Sequence, residues 1–153
     1  MADPQATRRS STGAEAPEAP PEQIRRVIPS TFDAGREVQE EILAAAARHG
    51  FGEETGFGLK LALEEGLINA IKHGNKLAAD KQVTVEADFR PNAVRIGIED
   101  QGPGFDRNKV PDPTLEENLE KCSGRGILLM EAYMDEVNWD REGRRVTLIK
   151  RKT

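Results

Sequence analysis

The chain has 153 residues, enough for one domain with an ordinary core and too few for two packed ones. Its formal net charge of −5 argues against direct binding to nucleic acid, which depends on Lys and Arg neutralising phosphates. Cys122 is the lone cysteine, and His49 and His73 are the only histidines, so disulfide frameworks and cysteine- or histidine-rich metal sites are excluded. No apolar run reaches bilayer-spanning length, and the N-terminus lacks the apolar stretch of a signal peptide, so a cytoplasmic protein with no membrane contact is expected.

Residues 1–22 are rich in Ala, Pro, Ser, Thr and Glu, with Met1 as their only large apolar side chain. Such a segment cannot bury enough surface to offset its ordering entropy, so it reads as a disordered tail before a domain over 23–153. Ile24 to Ile28 alternates as a short strand ended by Pro29-Ser30. Asp33 is placed to cap a helix running to about His49, with Val38, Ile42, Leu43 and Ala46 on one stripe and Gly50 as its stop. A second helix is expected from about Glu53 to Lys76, with a broad apolar face built on Leu59, Leu61, Leu63, Leu67, Ile68 and Ile71. Val83 to Phe89 and Val94 to Ile98 alternate around Pro91-Asn92 and form a hairpin. Residues 101–123 hold three prolines and two glycines and read as a long binding loop or lid. Gly124-Arg125-Gly126 opens a helix to about Met134, and Glu136 to Asp140 with Arg145 to Lys150 close the chain as a second hairpin around Glu142-Gly143. This order predicts an α+β fold: a two-layer sandwich of one mixed, mostly antiparallel sheet with helices on one face.

Three short patterns carry chemistry. Glu65 and Asn69 are four apart and Lys72 three further on, so a helix places them on one face. A carboxylate, an amide oxygen and an ammonium there suit proton abstraction, a hard cation and a phosphate respectively; the plainer reading is a solvated polar face. Glu64, one position off, should point elsewhere. Asp100-Gln101-Gly102-Pro103-Gly104 follows an apolar strand, where the acid can accept from a base amino group and the glycines admit close backbone approach; an ordinary turn has the same composition. Gly124 and Gly126 free the amides of a helix N-terminus for an anion, or simply connect two elements.

The order and spacing of these patterns decide between the readings. E-x-x-x-N on a helix, D-x-G-x-G after a strand, a long lid and G-x-G opening a helix resemble the N, G1 and G2 boxes of the nucleotide-binding fold shared by gyrase, Hsp90, histidine kinases and MutL (the GHKL or Bergerat ATPases). Within that superfamily, Glu65 to Asn75, Ile98 to Asp106 and Ser123 to Val137 resemble the serine/threonine-protein kinases that act as anti-sigma factors, the RsbW and SpoIIAB type. The resemblance covers roughly residues 24–150.

It implies ATP and magnesium as ligands. Glu65 would be the general base toward an acceptor hydroxyl, and Asn69 would hold magnesium. Lys72 would lie near the phosphates, and His73 and Gly74 complete the same string. Asp100 would accept from the adenine amino group, with Gly102 and Gly104 as the pocket floor. Gly124 and Gly126 would give amides to the phosphates, and Arg125 between them either neutralises phosphate or faces solvent. Arg107 and Lys109 in the lid carry the same two readings, with the solvated one favoured, and Cys122 reads as an incidental lid residue rather than a sensor. The implied activity is phosphorylation of an antagonist of the STAS type, coupled to sequestration of a sigma factor, with a homodimer as the implied assembly. The competing reading is an ATP-binding module that holds a regulator without phosphorylating it.

Overall fold

The computed structural model describes residues 20–104 and 124–152. Strand β1 (Glu22–Pro29) turns Ile24 and Ile28 inward and pairs antiparallel with β2 (Gln82–Phe89). Helix α1 (Phe32–Arg48) follows. Its cap is Thr31 rather than Asp33: the Thr31 hydroxyl accepts from the Ala34 amide at 3.2 Å, satisfying a donor the helix leaves free. Asp33 lies one step inside, where a carboxylate complements the positive end of the helix dipole. The expected stripe is buried at Val38, Ile42 and Ala46, and Gly50 (φ +89°) takes the left-handed turn that ends the segment.

Helix α2 (Glu53–Ile68) buries Leu59, Leu63 and Leu67. The regular helix expected as far as Lys76 stops eight residues sooner, at Ile68, and widens into a π turn over Asn69–Gly74. The Asn75 amide donates to Ala70 and the Leu77 amide to Ile71, and positive φ angles at Lys76 (55°) and Leu77 (59°) end the run. Insertions of this kind cost helix regularity and concentrate at functional sites.

The hairpin of β2 with β3 (Ala93–Glu99) pairs Phe89 with Val94 and Val85 with Ile98. Helix α3 (Gly124–Tyr133) packs on α2, where Gly66 is small enough to sit against Ile98 and Met130. Strands β4 (Glu136–Asp140) and β5 (Arg145–Arg151) complete a five-stranded sheet of order β1-β2-β3-β5-β4. All four described pairings are antiparallel, so the mostly antiparallel sheet expected is antiparallel throughout in its described part.

The inner face of the sheet and the three described helices share one core. Phe89, Ile96, Ile98 and Leu148 from the sheet and Ile42, Leu59, Leu63 and Met130 from the helices are essentially inaccessible. Each contributes roughly 2 kcal/mol by leaving water. The opposite face is polar: Arg145 crosses Gly97 to reach Glu86 at 3.0 Å, and Arg25 meets the same carboxylate at 3.3 Å. Residues 1–19 of the expected tail and residues 105–123 of the expected lid, with Arg107, Lys109 and Cys122, lie outside the described residues. No described helix is long and apolar enough to cross a membrane.

Candidate nucleotide-binding site

A cavity of about 410 Å³ opens between the π turn after α2 and the loop after β3. Among the predicted residues, Asn69, Lys72, Asp100 and Gly104 line it. Its two ends differ in kind.

At the π-turn end, Asn69 is buried at 7% exposure, yet neither its Oδ1 nor its Nδ2 has a hydrogen-bond partner among the described residues. A buried amide left this way costs on the order of 1–3 kcal/mol, a cost that an outside partner here would offset. Lys72, His73 and Lys76 line the same end. Burial holds the His73 imidazole below its ordinary value of 6.5, and the neighbouring charges of Lys72 and Lys76 push the same way. The end is therefore cationic through the lysines, with a neutral ring between them. No described group of three or more His, Cys, Asp or Glu side chains converges as a metal cage. A lone amide oxygen is nonetheless a fitting protein donor for magnesium, which keeps several waters and takes its remaining oxygens from phosphates.

At the other end the carboxylate is held by the backbone. The Asp100 carboxylate accepts from the Gly102 amide at 2.8 Å, and the Asp100 amide donates to the Arg144 carbonyl at 2.9 Å. Burial raises the Asp100 pKa above its ordinary 3.8, opposed by the Gly102 hydrogen bond and the nearby Arg144 charge. A partner that donates a hydrogen bond to this carboxylate would offset its lost hydration. The glycines here are required by packing. A Cβ at Gly74 would collide with the Asp100 carboxylate, and one at Gly102 with the Gly74 carbonyl. Gly104 adopts φ +84° beneath the Glu142 carbonyl.

Asn75 ties the two ends together. It is 1% exposed; its Oδ1 accepts from the Gln101 amide at 2.7 Å, while its Nδ2 donates to Ser30 Oγ and the Gln82 carbonyl, both at 2.9 Å. Sequence reasoning passed over Asn75, Arg144 and the cavity-lining Trp139. A polar residue in a polar stretch announces no burial, and Arg144 and Trp139 arrive from the distant closing hairpin.

Glu65 is half-buried one turn before Asn69 and does not line the described cavity. Glu64 faces a different groove, between α1 and α2, as its offset predicted. Gly102 packs behind the lining against Gly74. Gly124 and Arg125 open α3, and Gly126 is buried in its first turn.

The α+β sandwich thus sets a carboxylate between glycines at one end of a cavity and an unpartnered amide among lysines at the other. Residues 28–150 match the family described as histidine kinase-like ATPase domain, and the chain belongs to that family. Relatives agree with this placement. The Serine-protein kinase RsbW of Listeria innocua is 31% identical over 98 residues, 60% of this chain and 62% of that protein. The protein of the same name from Oceanobacillus iheyensis is 33% identical over the same shares of the two chains. The Anti-sigma F factor of Clostridium beijerinckii is 36% identical over 55% of this chain and 60% of its own. The chain thus spans less than two thirds of the length of these relatives.

Proposed function

We propose that this protein is an ATP-dependent serine/threonine-protein kinase and anti-sigma factor, which phosphorylates a STAS-type antagonist and sequesters a sigma factor. The observation that carries the reading is the paired cavity: an unpartnered buried amide at Asn69 and a fixed carboxylate at Asp100, in a chain of this ATPase family. The names of the relatives, serine-protein kinase and anti-sigma F factor, support the kinase activity and a sigma factor as partner, the motif resemblance supports a STAS-type antagonist, and the family supports the nucleotide.

Asp100 receives the adenine amino group, with Gly102 and Gly104 keeping the backbone close to the ring. Lys72 meets phosphate oxygens, as do the first amides of α3 at Gly124 and Gly126, with Arg125 beside them. Asn69 Oδ1 is the protein donor for a magnesium ion, which when bound neutralises triphosphate charge. Glu65 takes the proton from an acceptor serine or threonine hydroxyl as its oxygen bonds to the γ-phosphorus, the bond to the β-phosphate oxygen breaks and ADP leaves. In such transfers most of the catalysis is positioning and charge stabilisation.

A second reading, an ATP-binding module that holds a regulator without phosphorylating it, is favoured by the position of Glu65 off the described cavity lining. The two are separated by incubating the protein with ATP labelled at the γ-phosphate and partners captured from lysate, then locating label by mass analysis. The kinase reading expects label on serine or threonine of a partner, and none with Glu65→Gln despite unchanged ATP affinity. Transfer by Glu65→Gln at the parental rate would remove the base assignment. Captured partners with no label would leave the binding module.

A further inference from the structure

Resting on the reading of the cavity as a nucleotide site, we propose that Arg144 is a positioning residue for base recognition. It fixes the acceptor carboxylate of Asp100 from the far side of the glycine loop. Four of the guanidinium's five N–H donors go to nearby oxygens. Its Nε donates to the Gly102 carbonyl at 2.6 Å and its Nη2 to the Pro103 carbonyl at 3.2 Å. Its Nη1 donates to the Arg141 carbonyl and to Glu142, both at 3.1 Å. Its own carbonyl accepts from the Asp100 amide at 2.9 Å. One residue thus holds both termini of the Asp100–Pro103 turn.

The chain to the carboxylate is short. Arg144 holds the Gly102 carbonyl, and the Gly102 amide donates to Asp100 Oδ1 at 2.8 Å. If Gly102 moves, the carboxylate moves with it. The hairpin turn that presents Arg144 is itself unusual. Arg141, Glu142 and Gly143 all carry positive φ, at 52°, 59° and 87°. Two consecutive non-glycine residues in the left-handed region cost on the order of 1–3 kcal/mol each and persist only where their surroundings hold them. Here they bring the Glu142 carbonyl over Gly104 and the Arg144 fork onto the two preceding carbonyls. Planar, bidentate donation is the property that separates arginine from lysine, so the fork rather than the charge is the working part.

The consequence lies in base selectivity. A carboxylate locked in place accepts from the 6-amino group of adenine and repels the 6-oxo group of inosine. A carboxylate free to swing can turn instead to the ring N–H that inosine offers. The test is calorimetric titration of the full chain with ATP and with inosine triphosphate, each with and without magnesium, for the parent, Arg144→Ala and Arg144→Lys, with thermal melts alongside. The parent is expected to prefer ATP. Both variants are expected to lose about tenfold of that preference, the size of one charge-assisted hydrogen bond, while keeping the parental gain in ATP affinity on adding magnesium. A merely structural role would lower stability and both affinities together and leave their ratio alone. Should Arg144→Ala fail to fold, Arg144→Lys carries the comparison. A parental ATP-to-inosine triphosphate ratio in a folded variant, or a lost magnesium gain, overturns the positioning role by itself. A folded parent that binds neither nucleotide removes the nucleotide reading and this inference together.

Discussion

The two ends of the cavity are built on opposite plans. At the Asp100 end each polar group named has its partner, and the backbone approaches so closely that Gly74 and Gly102 admit no side chain. At the Asn69 end a buried amide has none among the described residues, and the polypeptide departs from regular helix to make room for it. The contrast separates what the protein supplies from what its ligand supplies. A base needs a rigid, preformed acceptor, and preorganisation reduces the ordering cost of binding. A metal–phosphate group brings its own charges and oxygens, so on the proposed reading the protein would hold one donor ready and leave the rest of the coordination to the ligand.

The largest disturbance should come from adding a single methyl group at the built end. Gly102→Ala drives a Cβ into the Gly74 carbonyl, which is backbone and has no rotamer to yield. The expected loss is about 3 kcal/mol, at the upper end for overpacking, measured by denaturant unfolding, together with ATP binding. Asn75→Ala should follow at about 2 kcal/mol, because it removes the three hydrogen bonds of a nearly inaccessible side chain, to the Gln101 amide, the Gln82 carbonyl and the buried Ser30 Oγ. At the open end the same kind of truncation should behave differently. Asn69→Ala removes an amide with no partner to lose, so its unfolding free energy should equal or exceed the parent's by up to about 1 kcal/mol, while the magnesium dependence of ATP binding disappears. A clear destabilisation by Asn69→Ala would erase the contrast between the two ends.

The smallest effects are those of pH, and they run in opposite directions. His73 is held below 6.5, so the unfolded chain takes up its proton first; this contribution to stability is present above 6.5 and is lost as pH falls through the folded value. Asp100 is raised above 3.8, so its contribution is present below 3.8 and is lost as pH rises through the folded value. Ligand-free Asp100→Asn should therefore gain stability relative to the parent across that upper interval. Denaturant unfolding of both proteins on either side of it checks the sign.

How much of this was legible in the sequence follows from how local each signal is. The β2–β3 hairpin and the α1 stripe announce themselves by period, because burial of one face is written in every second or every third to fourth residue. The cap of α1 moved from Asp33 to Thr31 because several residues there can cap and only the path of the backbone chooses among them. The π turn was invisible, since Asn69 to Gly74 has an ordinary helical pattern until Asn75 and Gly74 meet the Asp100 loop. Asn69, Lys72, Asp100 and Gly104 were found through motif spacing, which short-range geometry preserves. Arg144 carries no local mark; its part depends on β5 lying beside β3, a contact between residues more than forty positions apart.

The central claim is that one cavity binds ATP with its base at Asp100 and its phosphates toward Asn69. Calorimetric titration with ATP, with and without magnesium, tests it most directly when the parent is run beside Asp100→Asn and Asn69→Ala. With one carboxylate oxygen already engaged by Gly102, the amide of Asp100→Asn has no second acceptor for the base. The account predicts parental binding strengthened by magnesium, loss of binding under both conditions in Asp100→Asn, and loss of the magnesium gain alone in Asn69→Ala. A folded parent that does not bind ATP, or an Asp100→Asn protein that binds as the parent does, would contradict it.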